Sequence, residues 1–235
     1  MKRALAASLL LFCGLPGTVA AKQPGVAATV ENFRAIGPDQ VILLADGRQA
    51  VLAGIVFPDA YLATRSLAPL AGKSMPCRVP GADRYGRLRL VPLTGSAASL
   101  QDALLRDGVA VRSGAEDDAG WAVIEAQARR AHRGVWGEKD FVLGADHAGG
   151  HRGEFHVVEG TVKRVYFGHD ATELNFGDDW RTDFSVAVPR KVARDLDTDD
   201  LEGAQVRVRG VLFEKNGPML LLGNAAQLEI VHGVP

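Results

Sequence analysis

Gln40-Val-Ile-Leu-Leu-Ala-Asp-Gly-Arg-Gln-Ala-Val-Leu-Ala-Gly-Ile-Val56 is two apolar runs hinged on Asp46-Gly47. An Asp-Gly pair between such runs predicts a β-hairpin with a two-residue turn, where positive φ is needed and glycine takes it without steric cost. Upstream, Ala27 to Phe33 reads as a further strand. Downstream, Lys73 to Val79 and Leu88 to Leu93 read as a strand pair joined by Asp83-Arg-Tyr-Gly-Arg87. Leu62, Ser66, Leu67 and Leu70 recur at helical spacing and predict a helix over Ala60 to Leu70. Ser99-Leu-Gln-Asp102 is a capping box that opens a second helix ending before Gly108. A third helix carries Trp121, Ile124, Ala128, Ala131 and Val135 on one face, with Asp117 or Asp118 as its cap and Gly134 near its end.

After the segment Gly144-Ala-Asp-His-Ala-Gly-Gly-His-Arg-Gly153 the chain is nearly all strand. Phe155 to Phe167, Thr172 to Phe176 and Phe184 to Val188 come first. A short helix over Arg190 to Leu196 follows, then strands Gln205 to Phe213, Met219 to Leu222 and Gln227 to Val231, with Asn216-Gly217 as a hairpin turn. Five strands with one helix after the third is the chain order of an OB-fold barrel. The expected organisation is residues 1–21 as a signal peptide, 26–140 as a first domain, 141–153 as a Gly-rich linker and 154–232 as an OB-like β-barrel domain.

The 235-residue chain is 47% hydrophobic and 23% charged, globular values that exclude a disordered or collagen-like chain. Its formal net charge of −1 supplies no basic field for a strong grip on phosphates. Met1-Lys2-Arg3 followed by the apolar stretch Ala4 to Leu15 and by Val19-Ala20-Ala21 has the pattern of a secretory leader cut before Lys22. The expected location is therefore periplasmic or secreted, with no membrane span in the remainder. Cleavage would remove Cys13 and leave Cys77 as a lone thiol, the sort more often buried than reactive.

Several stretches of the first half resemble the thermonuclease (staphylococcal nuclease-like) family. Ile36-Gly-Pro-Asp-Gln-Val-Ile-Leu43 stands where that family has an Asp-Gly-Asp-Thr turn. Arg48-Gln-Ala-Val-Leu-Ala-Gly-Ile-Val-Phe-Pro-Asp59 resembles its strand ending Gly-Ile-Asp-x-Pro-Glu. Asp83-Arg-Tyr-Gly-Arg87 matches Asp-x-Tyr-Gly-Arg. Leu100 to Val109 is similar to its Leu-x-x-x-Gly-x-Ala helix end, and Ala131-His-Arg-Gly-Val-Trp136 to its terminal Gly-Ile-Trp. The resemblance spans about 110 residues in the family's order. It implies a mainly β fold with helices (α+β): a five-stranded OB barrel, followed here by a second OB-like barrel. Asn175-Phe-Gly-Asp-Asp-Trp-Arg-Thr-Asp-Phe184 looks like a segment in the accessory barrel of some exported thermonuclease-like proteins.

The family cleaves phosphodiester bonds with one calcium ion held by two Asp, a Glu that activates water, and two Arg on the phosphate. The resemblance places Asp39 at the first metal ligand, Arg87 at the second phosphate arginine and Asp59 at the base. It places Val51 at the other arginine, Val56 at the second metal ligand and Phe57 at a neighbouring threonine. Valine cannot ligate a hard cation, and losing one transition-state cation costs on the order of 10²–10³ in rate. Each survivor also has a structural reading. Asp39 suits a turn, Asp59 suits a helix cap ahead of Ala60, and Arg87 suits a pair with Asp83.

In the second half, Tyr166, Phe176 and Trp180 could stack bases and Lys163, Arg164 and Arg181 could meet phosphates. The competing reading has these aromatics packing the barrel or covering its mouth, with the acidic loops suiting a cationic or protein ligand. The expected function is binding, of nucleic acid, a small ligand or an envelope protein, without efficient catalysis. The alternatives are a calcium-dependent nuclease and an envelope scaffold module.

Overall fold

The computed structural model describes residues 28–37, 39–95, 98–114, 119–179, 181–196, 198 and 200–231. The expected signal peptide and the Asp117 or Asp118 cap lie outside them.

Strands β1 (Thr29–Ile36), β2 (Ile42–Leu44) and β3 (Gln49–Leu52) form an antiparallel meander. After the short β4 (Ile55–Val56) and helix α1 (Ala60–Leu67) come β5 (Ser74–Ala82) and β6 (Leu88–Pro92). The wall runs β1-β2-β3-β6-β5 and closes, with β3 parallel to β6 and β5 pairing back onto β1. This is the strand order of an OB barrel. Period-two alternation sends Phe33, Ile42, Leu44, Ala50, Leu52, Cys77 and Leu90 into the core.

The β2–β3 turn departs from the expected two-residue form. Leu44 accepts the Gly47 N–H at 3.0 Å and donates to the Arg48 carbonyl at 2.9 Å, so the loop holds Ala45 to Gly47. Only Gly47 there has positive φ (89°). Asp46 instead accepts the Arg48 N–H at 3.0 Å through its side chain, an Asx turn that relieves it of the left-handed conformation. The run expected as one strand, Gln49 to Val56, also divides. Gly54 at φ 72° turns the chain out of the barrel, and β4 pairs with β7 (Val111–Arg112) instead. The buried Gln101 amide donates to the carbonyls of Ala53 at 3.2 Å and Leu90 at 2.9 Å at this divergence.

Helix α2 (Leu100–Arg106) opens on the expected capping box. Asp102 accepts the Ser99 N–H at 2.6 Å with one oxygen and the Trp121 indole N–H at 2.8 Å with the other. One carboxylate thus caps α2 and docks α3 (Ala119–Arg130) against it. Gly108 (φ 67°) and Gly134 (φ 53°) then let two backbones cross, and the Val135 N–H donates to the Gly108 carbonyl at 3.0 Å.

The second barrel begins within the expected linker. β8 (Val142–Gly144) adds in parallel to β9 (Phe155–Thr161), and Ala148 is buried. Parallel pairing draws this stretch onto the sheet despite its glycines. β9 bends at Val162-Lys163 into β10 (Arg164–Phe167). β11 (Ala171–Asn175) and β12 (Ser185–Pro189) follow, then the single turn α4 (Arg190–Ala193), β13 (Gln205–Glu214), β14 (Pro218–Leu221) and β15 (Leu228–Ile230). The sheet runs β10-β11-β12-β14-β13-β9-β8, with β15 paired to β13 off this path. β9 and β10 are two halves of one bent strand: at the bend the Val162 N–H reaches the Ala204 carbonyl and the Lys163 N–H the Asn175 carbonyl. The sheet therefore carries the strand order of an OB-like barrel, as the sequence predicts. Asn216 (φ 54°) and Gly217 (φ 90°) turn the β13–β14 hairpin.

A third apolar cluster lies between the barrels. Val111, Ala128, Val135, Trp136 and Phe141 pack there with Val157 of β9, and Val56, Leu62 and Phe155 lean on its rim. Among the described residues no helix is long and apolar enough to cross a membrane.

Candidate functional site

Asp39, Asp59 and Arg87, the expected site residues of the first barrel, are each engaged in local structure. Asp39 sits exposed in the β1–β2 turn, where Gly37 and Val41 are joined by a 2.8 Å backbone bond. Its Oδ1 faces the Val41 N–H at 3.4 Å. Asp59 is the N-cap of α1, and its Oδ1 accepts the Leu62 N–H at 2.9 Å. Arg87 turns back onto Asp83, with Nε at 2.7 Å and Nη2 at 2.7 Å from Oδ2. Its guanidinium also lies over the Tyr85 ring, 5.1 Å from the centroid. Asp83 accepts the Tyr85 and Arg87 backbone N–H groups as well, and hydrogen bonding to Arg87 and to these amides outweighs desolvation and holds its carboxyl below the usual value. The Asp-x-Tyr-Gly-Arg sequence is thus a self-contained hairpin loop, with Gly86 at φ 78°.

The uncharged positions are packed. Val51 is half-buried on β3 beside Arg89 of β6. Val56 rests on the inter-barrel cluster, and Phe57 packs against the first core. These two lean on different apolar clusters.

The second barrel has a groove of about 1000 Å³ along the β10–β11 ribbon. In that ribbon Arg164 stands opposite Asn175 and Tyr166 opposite Glu173, a register that puts all four on one face. The groove collects three of the residues expected to bind nucleic acid: Lys163, Arg164 and Tyr166, the last 60% exposed. Phe176 is placed differently. It is buried against Phe184 with ring centroids 5.1 Å apart, and it lines an adjoining cleft of about 490 Å³ that shares Lys163, Gly177 and Asp178 with the groove. Trp180 lies outside the described residues.

Acidic groups share the groove. Lys163 pairs with Asp178 at 3.0 Å, Glu173 lines the wall, and Glu202 accepts the Val165 N–H at 3.2 Å. Two cations against three carboxylates make a mixed field that favours a ligand with groups of both signs over a polyanion. Sequence reading found the cations and the tyrosine from their types. It missed Glu173 and Glu202, because only strand register and the return of the chain before β13 bring them alongside.

The residues able to hold a metal also differ from expectation. The cluster among the described residues is His151, Glu154 and His156, with the three ligand atoms within 4.8 Å of one another. His147 stands four residues before His151 in the sequence. In the structure His147 is exposed and bonded to Asp146 at 2.8 Å. No family model matches this chain, and no curated protein matches it.

Proposed function

We propose that this chain is a binding protein of two OB-like barrels, the first a thermonuclease-like scaffold without a working hydrolytic centre and the second carrying the ligand groove. The observation that carries the proposal is the employment of the three surviving polar residues. Asp39 belongs to a turn, Asp59 caps a helix and Arg87 is clamped by Asp83, while Val51, Val56 and Phe57 stand where charge or hydroxyl would be needed. The residues present do not fit a calcium ion: it wants six to eight oxygens, and valine supplies none.

The groove supports a ligand that stacks on Tyr166 and meets mixed charge, such as a segment of an envelope protein, a cationic small molecule or a short single strand. The leader-like residues 1–21 support export, tested by finding Lys22 at the amino terminus of the exported protein. The decisive assay is release of acid-soluble nucleotide from denatured DNA by the purified exported form. The expected result is no release above background, with calcium or with chelator. Chelator-sensitive cleavage that Arg87→Ala abolishes would establish the nuclease instead. Retention of a single-stranded oligonucleotide at low salt, lost in Tyr166→Ala, would identify nucleic acid as a groove ligand. Its absence would direct the search to protein and cationic ligands.

A further inference from the structure

A cleft of about 580 Å³ opens where Phe57 and Pro58 of the first barrel meet the entry to β9. His151, Glu154 and His156 converge in its wall. Glu154 Oε2 lies 3.0 Å from His151 Nδ1 and 3.0 Å from His156 Nε2. The imidazole rings meet edge to face at 63° with centroids 4.6 Å apart.

The surroundings orient these atoms. His156 is only 8% exposed, and its Nδ1 is 3.3 Å from the Phe141 carbonyl oxygen. A carbonyl can only accept, so Nδ1 is the donor there and Nε2 is the nitrogen turned towards the cleft. That nitrogen faces the Glu154 carboxylate oxygen at 3.0 Å, a pair that either a shared proton or a bound cation can bridge. A backbone carbonyl holding the distal nitrogen of a histidine is also the usual outer support of a metal ligand. The loop is fixed from both sides, with the Gly153 N–H donating to the Leu212 carbonyl at 2.8 Å and the Leu212 N–H to the Glu154 carbonyl at 2.9 Å. Gly153 at φ 86° makes the turn that brings His151 back over Glu154.

We infer that His151, Glu154 and His156 form a binding site for a divalent transition-metal ion, with zinc the best match. Two imidazoles and one carboxylate are a borderline donor set that suits zinc and disfavours calcium. Zinc–ligand bonds of about 2.0–2.2 Å in tetrahedral directions put ligand atoms roughly 3.3 Å apart; the two nitrogen–carboxylate separations here are 3.0 Å, and all three ligand atoms lie within 4.8 Å of one another. Three protein ligands leave the fourth position facing the cleft, open to water or to a donor atom of a partner. The inference is independent of the groove in the second barrel and of the fate of the first-barrel site.

The test is zinc titration of tag-free, chelator-stripped full chain by calorimetry, with cobalt(II) as a visible-absorption reporter of tetrahedral coordination. One equivalent of zinc should bind, thermal stability should rise with zinc concentration, and cobalt should give the intense tetrahedral spectrum. His151→Ala and Glu154→Gln, both at accessible positions, should each weaken zinc at least about tenfold while the metal-free proteins melt like the parent. His147→Ala should bind zinc unchanged. Absence of binding at 100-fold molar excess of zinc, or binding that survives both His151→Ala and Glu154→Gln, would overturn the assignment.

Discussion

Asp59 shows how one side chain can satisfy a family pattern while doing something else. Its carboxylate holds the first turn of α1 through the Leu62 N–H. Asp59→Ala should therefore destabilise the fold by about 1 kcal/mol in urea unfolding, and Asp59→Asn, which still caps, by less. Cys77 is the other residue whose chemistry is set by its surroundings. Burial in the first barrel, reinforced by the Glu31 carboxylate, pushes its thiol up to about 12. At pH 8 such a thiol is ionised to roughly one part in 10⁴, against about a quarter for an ordinary cysteine. A thiol reagent should label the native protein on the order of 10³-fold more slowly than the urea-unfolded chain. Comparable rates in the two states would mean that the barrel opens readily around Cys77. The burial of Cys77 is the expectation the lone thiol carries in the sequence, whereas Asp59 and Arg87 each had two readings that only their bonding partners separate.

At the scale of elements, the glycines of two sequence motifs turn out to be one contact. A Cβ on Gly108 would stand 2.0 Å from the Arg133 carbonyl oxygen, and one on Gly134 would stand 2.3 Å from the Gly108 carbonyl oxygen. Both positions also have positive φ. Gly108→Ala should cost roughly 3 kcal/mol or more, because the clash is with backbone and cannot be relieved by a rotamer change. Gly47→Ala, in a turn with open space around it, should cost only the strain of the left-handed conformation, about 1 kcal/mol. Equal thermal shifts for the two variants would sink the crossing argument. The capping box and the Asn216-Gly217 turn were legible because their physics is local. The β2–β3 turn was read one residue short, since the Asp46 side chain bonds the Arg48 amide and changes the loop.

At the scale of the molecule, charge buried between the barrels holds them in register. Arg112 of β7 and Arg209 of β13 share Glu125 of α3 and Glu229 of β15, with Arg209 bonded to Glu125 at 2.8 Å and to Glu229 at 2.6 Å. Arg209 is 1% exposed and Glu125 3%. Arg209→Met removes the shared cation and leaves buried carboxylates behind, an expected loss of about 3–5 kcal/mol measured by urea unfolding. Burial alone would raise the pKa of Glu229, but Arg209, Arg112 and Arg207 outweigh it and hold the carboxyl below its ordinary 4.5. A carboxyl depressed in the fold contributes fully above its unfolded pKa and loses that contribution as pH falls through the folded one. Stability should therefore drop below about pH 4.5, and Glu229→Gln should lower the neutral-pH stability while flattening this acid limb. An unchanged acid limb in Glu229→Gln would place the acid sensitivity elsewhere.

The sequence by itself determined the two barrels, because alternation, turn chemistry and capping act over a few residues and repeat in OB order. It also determined that Val51 and Val56 offer no polar atom at any geometry. Only the tertiary structure decided that residues 142–148 belong to the second sheet and its core, and that Arg209 is interior. It likewise brought His151, Glu154 and His156 to one point. These depend on partners far along the chain or on the rotamer a fixed loop imposes. An arginine on a strand reads as solvent-facing until the carboxylates that neutralise it, 84 residues away at Glu125 and 20 at Glu229, are folded against it.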